Sequence, residues 1–286
     1  MVHLKVRDLT PAFGAEVSGF EPKALLDEDT RHRLQGLFDS RGVLLFRGID
    51  LTHAEQFKLS TMLIRREGAG GTDQTPPEDK FYISNRRAGS AAPFGRLQFH
   101  SDTMWADQPF EVLSLYGVEV DQPSAPTMFV SGTRAWKTLP DKLRARVEGL
   151  RVLHTAGEVR RGDLTDVLVS TVKRPPTTTT QIGHRHPRTG ETILYACEQM
   201  TKEVVGLPPE ESERLLEELF DHLYDPAYGW NHEWRERDLV VWDNLALQHA
   251  RQNVVVEGPA RTLRKVASPV PNLKFDEIPS YSAAMT

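Results

Sequence analysis

Cysteine is nearly missing from this chain: Cys197 is the only one among 286 residues. A lone thiol excludes a disulfide within the chain, and it excludes multi-cysteine zinc and iron–sulfur centres. Cys197 follows the apolar run Ile193 to Ala196, so a buried, inert thiol is expected there. Long hydrophobic runs are lacking too. None approaches the ~18 apolar residues of a membrane helix, so no membrane partner is expected. Met1 to Lys5 begin no extended apolar segment, and no signal peptide is expected. There is no basic excess: 35 Lys and Arg stand against 40 Asp and Glu, a net charge of -5, which argues against a nucleic-acid partner. Without a disulfide framework the reading is cytoplasmic. No linker and no internal repeat divides the sequence, so residues 1–286 read as one domain.

What is present reads as short strands with a few helices. Residues 2–20 alternate apolar and polar up to Gly14 and Gly19, which predicts a hairpin at a sheet edge. Asp27 to Asp29 open a helix that ends near Gly42, and Val43 to Phe46 form a buried strand. Thr52 caps a second helix running to about Arg66. A Gly-, Thr- and Pro-rich loop over 67–79 precedes a strand from Phe81 to Ser84. Strand-like segments then follow from Leu97 to Gly132. Leu139 to Leu150 and Pro208 to Tyr224 are predicted helices, the latter with Leu215, Leu216, Leu219 and Phe220 on one face. Residues 157–181, with six Thr and adjacent Pro175 and Pro176, read as a long irregular segment of the kind that covers sites. Strands recur around Trp234 and over 239–242, 247–249 and 263–267. Without βαβ alternation, this predicts a mainly β fold with flanking helices, a jelly roll.

Two segments carry chemistry. In Phe99-His100-Ser101-Asp102, residues two apart on a strand face the same way, so an imidazole and a carboxylate point to one side. The segment from Asp243 to His249 follows the apolar strand Leu239–Trp242 and supplies a second histidine. His100, Asp102 and His249 match the two-His, one-carboxylate triad that binds Fe(II) and leaves positions open. A His-x-Asp pair alone is more often a polar strand face. Its company here is a basic cluster, Arg261, Arg264 and Lys265. A guanidinium there suits the distal carboxylate of a chelating cosubstrate. On a strand, Arg261 and Lys265 share a face and Arg264 points away, which favours Arg261 over Arg264.

The sequence resembles the taurine / 2,4-dichlorophenoxyacetate dioxygenase family of Fe(II)- and 2-oxoglutarate-dependent oxygenases over nearly its whole length. The matching segments are Gly14 to Gly19, Gly42 to Gly48, Phe99 to Asp102, His186 to Tyr195, and Asp238 to Asn244 with Gln248 and His249. The resemblance implies a double-stranded β-helix with iron held by His100, Asp102 and His249. It implies 2-oxoglutarate held by Arg261 and Thr127, although Ser124-Ala125-Pro126 replaces the family's usual Gly-Gly-Asp before that threonine. O₂ is the second cosubstrate, and the reaction is hydroxylation of a small, anionic organic molecule, with heteroatom–carbon cleavage or desaturation as variants. A homodimer or homotetramer is implied as well. Arg96, Lys265 and Asn85 are candidate substrate contacts; surface charge or a turn residue is the plain alternative for each.

Taurine itself is a poor fit, because residues 63–78 lack the histidine of taurine-specific relatives. His184 and His186 read as turn residues beside Pro187, and Asp243 and Asn244 as turn residues that support the site. Trp105, Phe110, Phe129, Tyr195 and Trp242 line a pocket or simply fill the core. Two other functions stay open on residues alone: a zinc hydrolase or isomerase, since two His and a carboxylate also suit Zn²⁺, and a non-catalytic binding module.

Overall fold

The computed structural model describes residues 4–22, 27–64, 82–90, 92–156, 165–171, 176–269 and 280–283. The chain opens with a hairpin, β1 (Lys5–Asp8) and β2 (Ala15–Ser18). Helix α1 (Glu28–Arg41) is capped by Asp27, whose carboxylate accepts from the Thr30 amide at 2.7 Å. It ends at Gly42, whose φ of 69° is left-handed, and a β-carbon there would come within 2.4 Å of Leu247 Cδ2. Strand β3 (Val43–Phe46) follows at once. In α2 (His53–Ile64), Thr52 and Glu55 form a reciprocal cap: the Thr52 amide donates to the Glu55 carboxylate at 2.7 Å, and the Glu55 amide donates to the Thr52 hydroxyl at 3.2 Å.

Next come β4 (Tyr82–Ser84), β5 (Gly95–His100), β6 (Val112–Val120) and β7 (Thr127–Ser131). A long excursion then carries α3 (Gly132–Lys137), α4 (Asp141–Val147), β8 (Arg151–Thr155), β9 (Leu168–Thr171), β10 (Thr177–Gln181), β11 (Gly183–Arg185), β12 (Thr192–Leu194), β13 (Thr201–Val204) and α5 (Pro209–Leu223). The chain returns through β14 (Trp230–His232), β15 (Leu239–Asp243), β16 (Leu247–Val254) and β17 (Arg261–Ser268), and β18 (Ser280–Ala283) pairs with β9.

The larger sheet has the order β1-β2-β3-β15-β6-β17-β4 and the smaller β14-β7-β16-β5. Each of β15, β6, β17 and β4 has its chain neighbour at the matching place in the smaller sheet. That interleaving is the double-stranded β-helix. Its burial explains the all-apolar strands. In β3, Val43 and Leu45 join Leu113, Phe129, Trp242 and Leu263 between the sheets. Leu44 and Phe46 pack outward against Leu34 and Phe38 of α1 and Leu59 and Leu63 of α2. A strand covered on both faces needs no alternation.

Some expectations change. The described part of 157–181 is not irregular: Thr177–Gln181 pairs along Arg151–Thr155. The threonine run is β-branched, and that shape suits a pleated strand. Helix α3 was not foreseen, and Trp234 lies just past β14 rather than on a strand. The 67–79 loop, Phe81, and 157–164 and 172–175 within the long segment lie outside the described residues.

His154 on β8 ties three strands together. Its Nε2 lies 2.8 Å from Thr180 Oγ1 and its Nδ1 3.1 Å from Thr201 Oγ1. Burial, with His184 nearby, lowers its pKa to about 3. The folded state therefore keeps it neutral where the unfolded chain, near 6.5, takes a proton. Stability is unaffected above that value and falls as pH drops from ~6.5 toward 3, by about 1.4 kcal/mol per unit. Urea titrations at pH 7.5 and 5.5 should show that loss in the wild type, and His154→Gln should lack it.

Candidate active site

His100 closes β5 and His249 sits opposite it on β16, the two paired in register. Their rings are 4.2 Å apart between centroids. His100 Nδ1 lies 2.7 Å from the Gln98 carbonyl oxygen, an acceptor only. That fixes the proton on Nδ1 and leaves the Nε2 lone pair free. His100 Nε2 is 3.2 Å and His249 Nε2 3.7 Å from Asp102 Oδ1. The three donor atoms lie within 4.8 Å of one another. Ligands ~2.1 Å from a common metal and at right angles to each other would be about 3 Å apart, so the trio fits a first-row divalent ion. His100 and Asp102 are buried, and His249 is nearly so.

Their charge states suit ligation. Burial would raise the Asp102 carboxyl, but the Lys265 ammonium above all, with the two imidazoles beside it, holds it well below the usual carboxylate range. Burial and the neighbouring His100 hold His249 well below its ordinary value, as a neutral imidazole.

The pleat does not place Asp102. Strand β5 ends at His100, and Asp102 lies in the following turn, where Thr103 has a φ of 59°. Asn244 holds it instead. The Asn244 side chain accepts from the Asp102 amide and donates to the Asp102 carbonyl, both at 2.9 Å, and donates to Phe110 O at 2.9 Å. Asn244 is itself set by Asp243, which accepts from the amides of Leu245 and Ala246 at 3.0 and 3.1 Å. Asp243 is buried against His186 at 3.0 Å and against Arg188, which also reaches Asp39 at 2.7 Å. His186 and Asp243 are thus part of the frame and not of the triad. Phe129 and Trp242 pack on the His249 ring, with centroids at 6.4 and 4.9 Å.

Strand β17 delivers the cations as alternation requires. Lys265 contacts Asp102 Oδ2. Arg264 turns to the other face, onto Gln56 at 2.8 Å and Tyr116. Arg261 is buried, donating to Ala125 O at 3.0 Å and Thr127 Oγ1 at 3.2 Å. These partners are a carbonyl and a hydroxyl, with no carboxylate among the described residues. Burial, with the Arg251 guanidinium nearby, pushes Arg261 well below its ordinary value. Such a guanidinium is a ready anion site.

Two expected substrate contacts lie elsewhere. Asn85 uses its whole side-chain amide on backbone: it donates to Val255 O and Pro259 O at 3.1 and 2.9 Å and accepts from the Arg261 amide at 2.9 Å. It pins the β16–β17 turn. Arg96 lines a groove of ≈ 770 Å³ with Phe99, Met128, Tyr224 and Ala250, on the side of the smaller sheet that packs against α5. The register shift between Leu97 and His100 breaks the alternation that would have turned Arg96 toward the triad. Trp234 and Arg251 were missed as site residues. Arg251, two beyond His249, was legible from strand period; Trp234, reached through a non-strand segment, left no such signal. Cys197 is buried and its thiol is pushed up to about 12, as inert as expected.

Known proteins agree with this geometry. The family profile described as "Taurine catabolism dioxygenase TauD, TfdA family" matches residues 5–267. The alpha-ketoglutarate-dependent 2,4-dichlorophenoxyacetate dioxygenase of Cupriavidus pinatubonensis is 27% identical over 258 residues, 84% of this chain and 89% of that one. Pentalenolactone F synthase of Streptomyces arenae is 28% identical over 278 residues, 89% and 90% of the two chains. The crystal structure of a taurine dioxygenase from Burkholderia xenovorans matches with a TM-score of 0.74 and 25% identity, covering 99% of this chain and 97% of that one. No described helix is long and apolar enough to cross a membrane. A jelly roll with a buried His-Asp-His cluster and this profile match have one reading: the chain belongs to the TauD/TfdA family of alpha-ketoglutarate-dependent dioxygenases, which use Fe(II), 2-oxoglutarate and O₂.

Proposed function

We propose that His100, Asp102 and His249 hold the Fe(II), that Arg261 and Thr127 hold the distal 2-oxoglutarate carboxylate, and that the enzyme hydroxylates a small organic anion. The observation that carries this is Arg261: a buried guanidinium beside Thr127, on the same hairpin as His249, with no carboxylate of its own among the described residues. A zinc hydrolase would have no use for it. When bound, the iron supplies the oxidising chemistry, in which 2-oxoglutarate and O₂ give succinate and CO₂ and one oxygen atom enters a substrate C–H bond.

The protein's part is placement and exclusion of water. His249 offers a neutral nitrogen and His100 its Nε2, and Asn244 fixes the backbone from which Asp102 projects. Arg261 pairs with the far end of the cosubstrate, so its reactive end is oriented before O₂ arrives. Phe129 and Trp242 cover the His249 side with apolar surface. Lys265 brings a positive charge to the pocket, which favours an anion as primary substrate. The Cupriavidus relative is named for such an anion. Hydroxylation at a carbon bearing a heteroatom would lead on to bond cleavage. We read residues 1–286 as one catalytic domain, cytoplasmic in keeping with its single thiol, and assembled as a homodimer or homotetramer.

The test is succinate release. Enzyme given Fe(II), 2-oxoglutarate and O₂ should form succinate in step with the oxidation of one member of a panel of aryloxyacetates, sulfonates and alkyl sulfates. Anaerobic addition of Fe(II) and 2-oxoglutarate should raise a weak visible charge-transfer band. Tight zinc binding with hydrolysis and no succinate would overturn the reading.

A further inference from the structure

Thr127 does more than sit beside Arg261. Its hydroxyl oxygen is buried and receives two donors: Arg261 Nη2 at 3.2 Å and the indole Nε1 of Trp234 at 2.9 Å. A hydroxyl has two lone pairs and one hydrogen. With both lone pairs engaged, the one thing it can still offer a ligand is its O–H. A carboxylate accepts only, so this is the polarity it requires.

We propose that Trp234 is a positioning residue for the cosubstrate: its indole N–H locks the Thr127 hydroxyl as a donor aimed at the distal 2-oxoglutarate carboxylate. This rests on the reading of Arg261 and Thr127 as that carboxylate's cradle. Trp234 is fully buried, and its N–H needs an acceptor, which Thr127 provides. Its ring lies edge-on to His232 at 4.4 Å and 6.0 Å from the Arg261 guanidinium, so the indole cannot swing away without unpacking both neighbours. Without the N–H, one lone pair of Thr127 is free to face the incoming carboxylate, and the hydroxyl must be reoriented each time 2-oxoglutarate binds. Succinate keeps the same distal carboxylate, so product binding should depend on Trp234 too.

The experiment is a double-mutant cycle on the Fe(II)-loaded enzyme. Trp234→Phe keeps an aromatic face toward Arg261 and removes the N–H together with part of the indole's volume, a packing loss common to both backgrounds that the cycle cancels; Thr127→Val removes the hydroxyl at nearly equal volume. The dissociation constant for 2-oxoglutarate is measured by anaerobic calorimetry, alongside succinate inhibition and the KM for the primary substrate. Trp234→Phe should weaken 2-oxoglutarate and succinate about tenfold each and leave kcat and the primary-substrate KM within about twofold. In the Thr127→Val background it should add less than about twofold. If Trp234→Phe weakens binding equally in both backgrounds, it acts through packing and the proposal fails. If Thr127→Val weakens 2-oxoglutarate and Trp234→Phe does not, the cradle stands and the role of Trp234 is refuted. If Thr127→Val has no effect, the cradle itself is refuted.

Discussion

Asp102→Ala is expected to abolish succinate formation, with a fall of at least about a thousandfold. Support residues around metal ligands typically account for 10–100-fold in affinity or activity, and Asp102 is proposed as an anionic ligand itself. Its loss has a second cost, which comes from Lys265. In the wild type the Lys265 ammonium rests on Asp102 Oδ2. Without the carboxylate, that charge stays in the pocket and opposes a divalent cation. Metal affinity should therefore fall further than the loss of one ligand explains, and Asp102→Ala with Lys265→Met should recover part of it. Metal titration of the apoprotein, read apart from turnover, separates the two contributions. The ion pair is only partly buried, with side-chain exposures of 10% and 23%, so the fold itself should lose only about 1–3 kcal/mol. Iron bound by Asp102→Ala with wild-type affinity would mean that the metal sits elsewhere.

Arg261→Met should have the next largest effect, on cosubstrate use alone. Truncating one partner of a buried, hydrogen-bonded charge pair costs about 2–5 kcal/mol, so the KM for 2-oxoglutarate should rise about a hundredfold. The effect on stability should have the opposite sign. Arg261 is buried with a carbonyl and a hydroxyl for partners, and a buried charge without a counter-charge is costly. The ligand-free variant should melt no lower than the wild type, and its stabilisation by 2-oxoglutarate should disappear. Melting curves with and without 2-oxoglutarate check both halves. Arg261→Lys is no rescue, since an ammonium cannot reach Ala125 O and Thr127 and still present a fork to a carboxylate. An unchanged KM would move the carboxylate to another cation.

Strand period explains most of what could be read in advance. It separated Arg261 and Lys265 from Arg264, and the structure sends Arg264 to Gln56 as alternation demands. The same rule applied to His100 and Asp102 names two side chains that the structure does bring together, but by an incomplete route. The strand stops at His100, and a side chain 142 residues away, Asn244, sets the carboxylate's backbone. Arg96 shows the limit of the rule: a bulge resets the faces, and no local residue announces it. Asn85 looked like a pocket residue because it follows a strand, yet its partners are turn carbonyls 170 and 174 residues on. Contacts of that range are products of topology. The threonine-rich stretch was legible by propensity and was misread because its length and prolines suggested a lid.

The β16–β17 hairpin, Leu247 to Ser268, carries His249, Arg261 and Lys265 together. One hairpin thus brings a proposed iron ligand and both pocket cations in a fixed mutual spacing, while His100, Asp102 and Thr127 come to it from β5, the turn after β5 and β7. The hazard is a single-codon insertion or deletion between Val254 and Arg261. By rotating β17 through half a period, it would turn Arg264 inward and Arg261 and Lys265 outward, removing both proposed recognition cations from the pocket in one event.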